Sequence, residues 1–295
     1  MIYYVCLQRQ TGAIQPYLDS LGPAAASMIQ TLPYEKIFGD RGGPAGHYIF
    51  TGHDRLLPEG LEAAALFANT IVTAHPWARI LNHPLRTLER YALLRTLHER
   101  GINPFNVARL DECRMLRFPL FLRREAGTGG PETGILHDEA EYEAALSVLD
   151  AKLSRKDRIA VEFVDTRFPD GLYRKFGVQR IGSHLIPQHM FASRAWMVKR
   201  EHAIWDETIQ AQEIFFVENF PHRDQVMRIF EIARIEYGRI DYGMIGGRVV
   251  AFEINTNPKL PQNRPEADRR VKQEMVSRAM IEAFTELNTP PHGPA

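Results

Sequence analysis

Hydrophobic positions in this chain fall into short apolar runs that alternate with helical stripes. Met1–Cys6 (MIYYVC) is nearly all apolar and reads as a strand. Tyr48-Ile49-Phe50 and the β-branched Thr70-Ile71-Val72 predict two more short strands. The alanine-rich Gly60–Asn69 predicts a helix between them. Leu85–Arg100 carries Leu88, Tyr91, Leu94 and Leu97 at helical spacing, with Gly101 as a natural stop. Beyond it, Phe118–Arg124 (FPLFLRR), Ile159–Val164 and Leu172–Ile181 predict strands, and Asp138–Leu153 predicts a helix. Helices follow near Glu201–Val217 and His222–Tyr237, then a hairpin RIDYGMIGGRVVAFEIN, then a helix over Arg264–Leu287. The alternation predicts an α/β or α+β protein. Its expected organisation is an N-terminal α/β domain over 1–110, a central subdomain over 111–190 and a C-terminal subdomain over 191–295.

Composition changes this picture only by exclusion. At 295 residues the chain is long enough for roughly two domains. Lys plus Arg is 36 and Asp plus Glu is 36, so the net charge is zero and no dedicated nucleic-acid surface is expected. No apolar run approaches the roughly 18 residues that span a bilayer, and the start lacks the pattern of a secretory signal. The reading is a cytoplasmic protein with no membrane partner. Cys6 and Cys113 match no metal or redox spacing and are expected to be buried and inert. The tail from Thr289 to Ala295 is rich in Pro and Gly and is expected to fray.

The hairpin carries the chemistry. It contains Arg239-Ile-Asp241, a Gly246-Gly247 turn, and Glu253-Ile-Asn255-Thr-Asn257-Pro258. Glu253 and Asn255 are two apart on one strand and so share a face, among apolar neighbours Val249, Val250, Phe252 and Ile254. A carboxylate in such surroundings needs a partner, and a hard cation with oxygen ligands would serve. Register stands against this. A strict two-residue turn pairs Ile245 with Arg248 and hence Asp241 with Phe252, which sends Asp241 and Glu253 to opposite faces. A shared metal therefore requires an odd-length loop or a β-bulge.

Arg-x-Asp, a hairpin, then Glu-x-Asn-x-x-Pro resembles the metal-binding end of the ATP-grasp superfamily, which includes D-alanine–D-alanine ligases, glutathione synthetases and ribosomal-protein glutamate ligases. The resemblance runs from about Arg86 to Pro258. It implies an ATP-grasp fold in which two subdomains clamp ATP behind an N-terminal α/β domain. It implies Asp241, Glu253 and Asn255 as magnesium ligands and Arg239 on the transferred phosphate or acyl phosphate. Phe118–Arg123 resembles the strand that ends in an ATP-binding lysine, here Arg123. Glu89-Arg90 is similar to the Asp-Lys of the glutamate ligases, so Arg90 matches the first ATP-binding lysine. Gly127, Gly129, Gly130 and Gly134 resemble the loop that folds over phosphates. Glu162-Phe163-Val164 resembles the strand end that faces adenine, and Lys175 lies on the next strand, where it can point into the cleft.

The resemblance implies an ATP- and Mg2+-dependent ligase that activates a carboxylate as an acyl phosphate and joins it to an amine, with a small molecule or peptide as substrate. A homodimer is compatible with it. The alternatives are a kinase of the same fold and a catalytically silent ATP-binding module, the latter suggested by the two Lys-to-Arg departures. Nothing in the sequence names the carboxylate or the nucleophile. His184 and His189 are five apart with Pro187 between them, which misses the helical spacing of paired metal ligands. They, with Arg194 and Lys199, are left to substrate contact or loop packing.

Overall fold

The computed structural model describes residues 1–38, 42–110, 112, 116–127, 129–149, 157–262 and 270–289. Cys113, Thr128, the outer ends of the helices expected at 138–153 and 264–287, and the tail beyond 289 lie outside them.

Three sheets carry the fold. The first is parallel, in the order β2-β1-β3-β4, from β1 (Ile2–Cys6), β2 (Ile29–Pro33), β3 (His47–Phe50) and β4 (Ile80–Leu81). Short helices α1 (Gln15–Leu18) and α2 (Pro23–Ala26) join β1 to β2, α3 (Tyr34–Ile37) follows β2, and α4 (Pro58–Ala74) joins β3 to β4. Every side chain of β1 is buried, because helices cover both faces of a parallel sheet. Ile2, Tyr4 and Cys6 pack with Val276, Met280 and Phe284 of the C-terminal helix, while Tyr3 and Val5 pack with Ala64, Phe67 and Ile71 of α4. Burial pushes the Cys6 thiol up to about 11, aided by nearby Glu35, so Cys6 is inert as expected. Thr70-Ile71-Val72, expected as a strand, instead continues α4. Ile71 lies four residues after Phe67 and shares its buried face, so core packing overrides β-propensity there.

The second sheet is antiparallel, in the order β5-β7-β6, from β5 (Val107–Arg109), β6 (Leu120–Arg124) and β7 (Arg158–Glu162). Helix α6 (Glu139–Leu149) packs on it through Tyr142 and Leu146. Helix α5 (Arg90–Glu99) precedes β5 and begins five residues later than expected. Its forerunner instead docks on another helix, where the Leu88 N–H donates to the Ala233 carbonyl at 2.8 Å. Gly101, with φ 66°, ends the stripe as predicted.

The third sheet, in the order β11-β10-β8-β9, is antiparallel: β8 (Tyr173–Ile181), β9 (His184–Ser193), β10 (Tyr237–Ile245) and β11 (Arg248–Asn255). It takes strands from both sides of residue 190. The sequence hid β9 behind Pro187. That proline sits at a bulge, where the register shifts between Gly177 and Val178, and there a missing N–H is tolerated. Helices α7 (Glu207–Asn219) and α8 (Arg223–Ala233) cover one face through Phe216, Val226, Ile229 and Phe230. Asp206 caps α7 by accepting from the Ile209 N–H, which explains a start later than Glu201. The closing helix α9 (Arg270–Asn288) crosses back to the first sheet.

One side chain ties the first sheet to the third. Asn82, buried with φ 58°, donates to the carbonyls of Phe50 and Tyr237 and accepts from the N–H groups of Glu236 and Tyr237. Asn82→Ala removes all four bonds and leaves buried backbone groups unpaired. Urea unfolding should show a loss of about 3 kcal/mol; a loss below about 0.5 kcal/mol would mean that the two sheets hold together without this clamp.

Candidate functional site

The open face of the third sheet, opposite α7 and α8, forms one wall of a cavity of about 1080 Å³. The hairpin's two-residue turn pairs Ile245 with Arg248, with both glycines at positive φ, 55° and 76°. By pleat alone Glu253 would then join Val249 and Ala251, which pack under α7 and α8. A bulge prevents this. The register shifts between Asp241 and Tyr242, so Tyr242 pairs with Ala251, Asp241 with Glu253 and Arg239 with Asn255. Phe252 is the extra residue. A Cβ on Gly243 would lie 2.8 Å from its ring, so the glycine leaves room for the bulge. Asp241 and Glu253 thus stand side by side facing the cavity.

Cations balance both acids. Asp241 is 7% exposed and lies 3.2 Å from the Lys175 ammonium and 3.2 Å from the Arg239 guanidinium. Burial works to raise its pKa, but Arg239 and Lys175 outweigh it and hold the carboxyl below its usual range. One Glu253 oxygen accepts from Arg90 at 2.6 Å and from Arg123 at 2.8 Å. Burial and the neighbouring Arg90 lower the Arg123 pKa against the pull of Glu253. Arg90 sits behind the cavity wall. Its Nη1 donates to the carbonyls of Arg124 and Glu125 at 3.0 and 2.7 Å, and its Nη2 also donates to the Gly127 carbonyl at 2.7 Å, while the buried Nε–H has no partner among the described residues. It therefore holds the start of the glycine-rich stretch as well as Glu253, a fan of donors that a lysine lacks.

The other expected residues fall around the same space. Gly129, Gly130, Arg123, Lys175 and Arg239 line the cavity, as do Glu162, Phe163 and Val164. Phe163 meets Trp196 edge-on at 5.7 Å, and Phe121 lies 5.1 Å from the same indole, so the β7 end of the cavity is an aromatic slot. The Glu162 carboxylate already accepts from the N–H groups of Asn106 and Arg117 and from the Arg117 guanidinium. That leaves apolar side chains and backbone to face a ring there. Asn255 follows Glu253 on the same face by pleat but is not among the residues lining the cavity, and its oxygen accepts from the Asn257 N–H at 2.8 Å. Trp196, His189 and Lys272 also line the cavity, and no spacing in the sequence marked them as a set. His184 lies apart, paired with Glu286 at 2.6 Å.

Among the described residues no three His, Cys, Asp or Glu side chains gather as a metal cluster. Two carboxylates on neighbouring strands, Asp241 and Glu253, with the Asn255 carboxamide two residues along, are still a donor set that fits magnesium, which completes its shell with water and phosphate oxygens. Arg90 and Arg123 now occupy the Glu253 oxygen that such an ion would take.

No family model and no curated protein sequence matches the chain. Solved structures do. A RimK domain ATP-grasp protein from Sphaerobacter thermophilus superposes with a TM-score of 0.54 at 14% identity, over 96% of this chain and 98% of that one. A D-alanine–D-alanine ligase from Bacillus anthracis, complexed with ATP, gives 0.51 at 14% identity, over 97% and 99%. The D-cycloserine synthetase DcsG gives 0.52 at 13%, over 96% and 99%. The chain has the ATP-grasp fold.

Glu89 is the N-cap residue of α5, next to Arg90; the Gly127 N–H, at the start of the glycine-rich stretch, donates to Asp54 at 2.7 Å. Burial, with Asp54 and Glu125 nearby, raises the Glu89 pKa to about 7. A raised carboxyl is costly only when ionised. Its cost is absent below the unfolded carboxyl range, grows as pH rises, and is complete above the folded value of about 7. Glu89→Gln should leave stability at pH 4 unchanged and raise it at pH 8, on the order of 1 kcal/mol for this partly wet site. Equal effects at both pH values would contradict the raised pKa.

Proposed function

We propose that this chain is an ATP- and magnesium-dependent ligase that converts a carboxylate to an acyl phosphate and joins it to an amine. The observation that carries this reading is the bulged hairpin. It sets Asp241 and Glu253 side by side, among Arg123, Lys175 and Arg239, in a cavity that also holds an aromatic slot and Gly129-Gly130. The solved ligases and synthetase of the same fold support it.

Phe163 and Val164, with Phe121 and Trp196, would sandwich the adenine. Gly129 and Gly130 offer backbone N–H groups to the phosphates. Arg123, Lys175 and Arg239 would take up phosphate charge in place of their present carboxylate partners. Asp241, Glu253 and Asn255 would hold magnesium, which supplies charge neutralisation at the phosphates. A carboxylate oxygen of the substrate then attacks the γ-phosphorus, and the bond to the β-phosphate oxygen breaks to leave ADP. Arg239 and Lys175 would stabilise the acyl phosphate. The amine lone pair attacks the acyl carbon, inorganic phosphate leaves with the bonding pair, and the amine loses a proton. The protein contributes position and preorganised charge, with no covalent step of its own. A small molecule or a peptide is the proposed substrate.

The test screens carboxylate–amine pairs for release of inorganic phosphate together with amide. With an active pair, Asp241→Asn should lower kcat by roughly a hundredfold or more while leaving the fold intact. An undiminished variant would remove Asp241 from the metal set. A stable phosphorylated product with no amide would make the protein a kinase.

A further inference from the structure

The cavity extends beyond the hairpin acids, away from the aromatic slot, into an arm between β9, the end of the hairpin and the start of α9. Its walls include Gln188 and His189 of β9, Lys259 and Leu260 after the hairpin, and Lys272 and Val276 of α9. The chain as a whole has equal numbers of acidic and basic side chains, yet this arm is cationic. Lys175, Arg200, Arg239, Lys259 and Lys272 line the cavity here, against the acids Glu201 and Asp241, with Glu213 paired to Lys272 and Glu253 taken up by Arg90 and Arg123.

His189 lies at its centre. The imidazole stacks on Phe191 at 4.3 Å and lies across Gly177, where any Cβ would collide with the ring. Gly177 pairs with Asp241, so the ring borders the hairpin acids. The His189 Nε2 atom is buried, and no protein group pairs with it. Burial, and then the positive charge of Arg239, Lys175, Lys272 and Arg200, drive its pKa well below the ordinary value. Lys272 is built in: it is 12% exposed and fixed at 2.8 Å by Glu213, which is 4% exposed and also accepts from the Met190 N–H. Lys259 is exposed and reaches the arm from the hairpin side. Lys175 and Arg239 share the single charge of Asp241 and Lys272 has Glu213, so cations still outnumber their counter-charges beside an unpaired polar atom, an arrangement that a ligand's negative charge would complete. In the proposed arrangement the nucleotide phosphates are assigned to Arg123, Gly129 and Gly130, which leaves Lys259 and Lys272 without a role toward the nucleotide.

We propose that this arm binds a second acidic group of the substrate, so that the carboxylate to be activated belongs to a polyacid: a dicarboxylate, a tricarboxylate or a phosphorylated carboxylic acid. This rests on the ligase reading for the identity of the reacting group. Lys259 and Lys272 would take the second acid beside the His189 ring, while Lys175 and Arg239 would stand between it and the phosphates. A second anion here fixes the molecule at both ends, which sets its reacting carboxylate against the nucleotide.

Calorimetric titration tests this on the full chain. Acetate, succinate, citrate and phosphoglycerate are each titrated with and without magnesium and a non-hydrolysable ATP analogue, and the analogue is titrated alone. One or more of the polyacids should bind at least about tenfold more tightly than acetate. Lys259→Glu, at an exposed site, should weaken that binding about tenfold and leave the analogue's affinity unchanged. Lys272→Met made together with Glu213→Gln, which removes a buried cation and its counter-charge at once, should do the same. Succinate or citrate ahead of phosphoglycerate assigns the second acid as a carboxylate, and the reverse order assigns a phosphate. No preference over acetate, no binding by any acid, or full affinity in both variants overturns the proposal. Polyacid binding without analogue binding would retain the arm and remove the ligase reading.

Discussion

One extra residue in a strand decides what this molecule can do. Without the bulge at Phe252, the pleat of β11 would turn Glu253 into the apolar layer under α7 and α8, among Val249 and Ala251. Burying an isolated carboxylate there would cost several kcal/mol. With the bulge, Glu253 comes out beside Asp241, and the outer half of β11 faces the cavity. The surroundings are shaped to permit this. Gly243 gives up its side chain to the Phe252 ring, and the Asn103 amide donates to the Ala251 carbonyl and accepts its N–H where the ladder is disturbed.

The two acids brought to the cavity then impose the electrostatics of the site. Two carboxylates side by side repel, and each is matched by two cations, Glu253 by Arg90 and Arg123, Asp241 by Lys175 and Arg239. The arginines at the two positions where the family resemblance leads one to expect lysine have a physical use. Arg90 can bind Glu253 and three carbonyls of the segment 124–127 at once, so the glycine-rich stretch and the hairpin share one anchor. Nucleotide binding would exchange phosphate and magnesium for these internal pairs, so the same charges that stabilise the free protein are the ones a ligand would recruit.

Much of this was legible in the sequence, and the misses have separate causes. The Gly-Gly turn, the strands at β1, β6, β7 and β8, and the need for a bulge if Asp241 and Glu253 were to meet followed from alternation and register. The location of the bulge did not, because nothing local distinguishes Phe252 from its apolar neighbours. Thr70-Ile71-Val72 was misread because helix packing through Ile71 outweighs the β-preference of three branched residues. Strand β9 was missed because Pro187 breaks its pattern, and only the partner strand shows that the proline falls at a bulge. The cationic arm was invisible in composition. Lys175, His189, Lys259 and Lys272 are spread over about a third of the chain, and a net charge of zero conceals a local excess.

The central claim is that the bulged hairpin is a magnesium–nucleotide site, and thermal unfolding reads it most directly. Wild type, Glu253→Gln and Glu253→Ala are each compared with and without magnesium and a non-hydrolysable ATP analogue, every protein against its own unliganded baseline. A ligand specific to the folded state at about 100 times its Kd stabilises by roughly 2.7 kcal/mol. The expected result is a clear magnesium-dependent rise in wild type that is lost or sharply reduced in both variants. No rise in wild type, or an equal rise in all three, would contradict it.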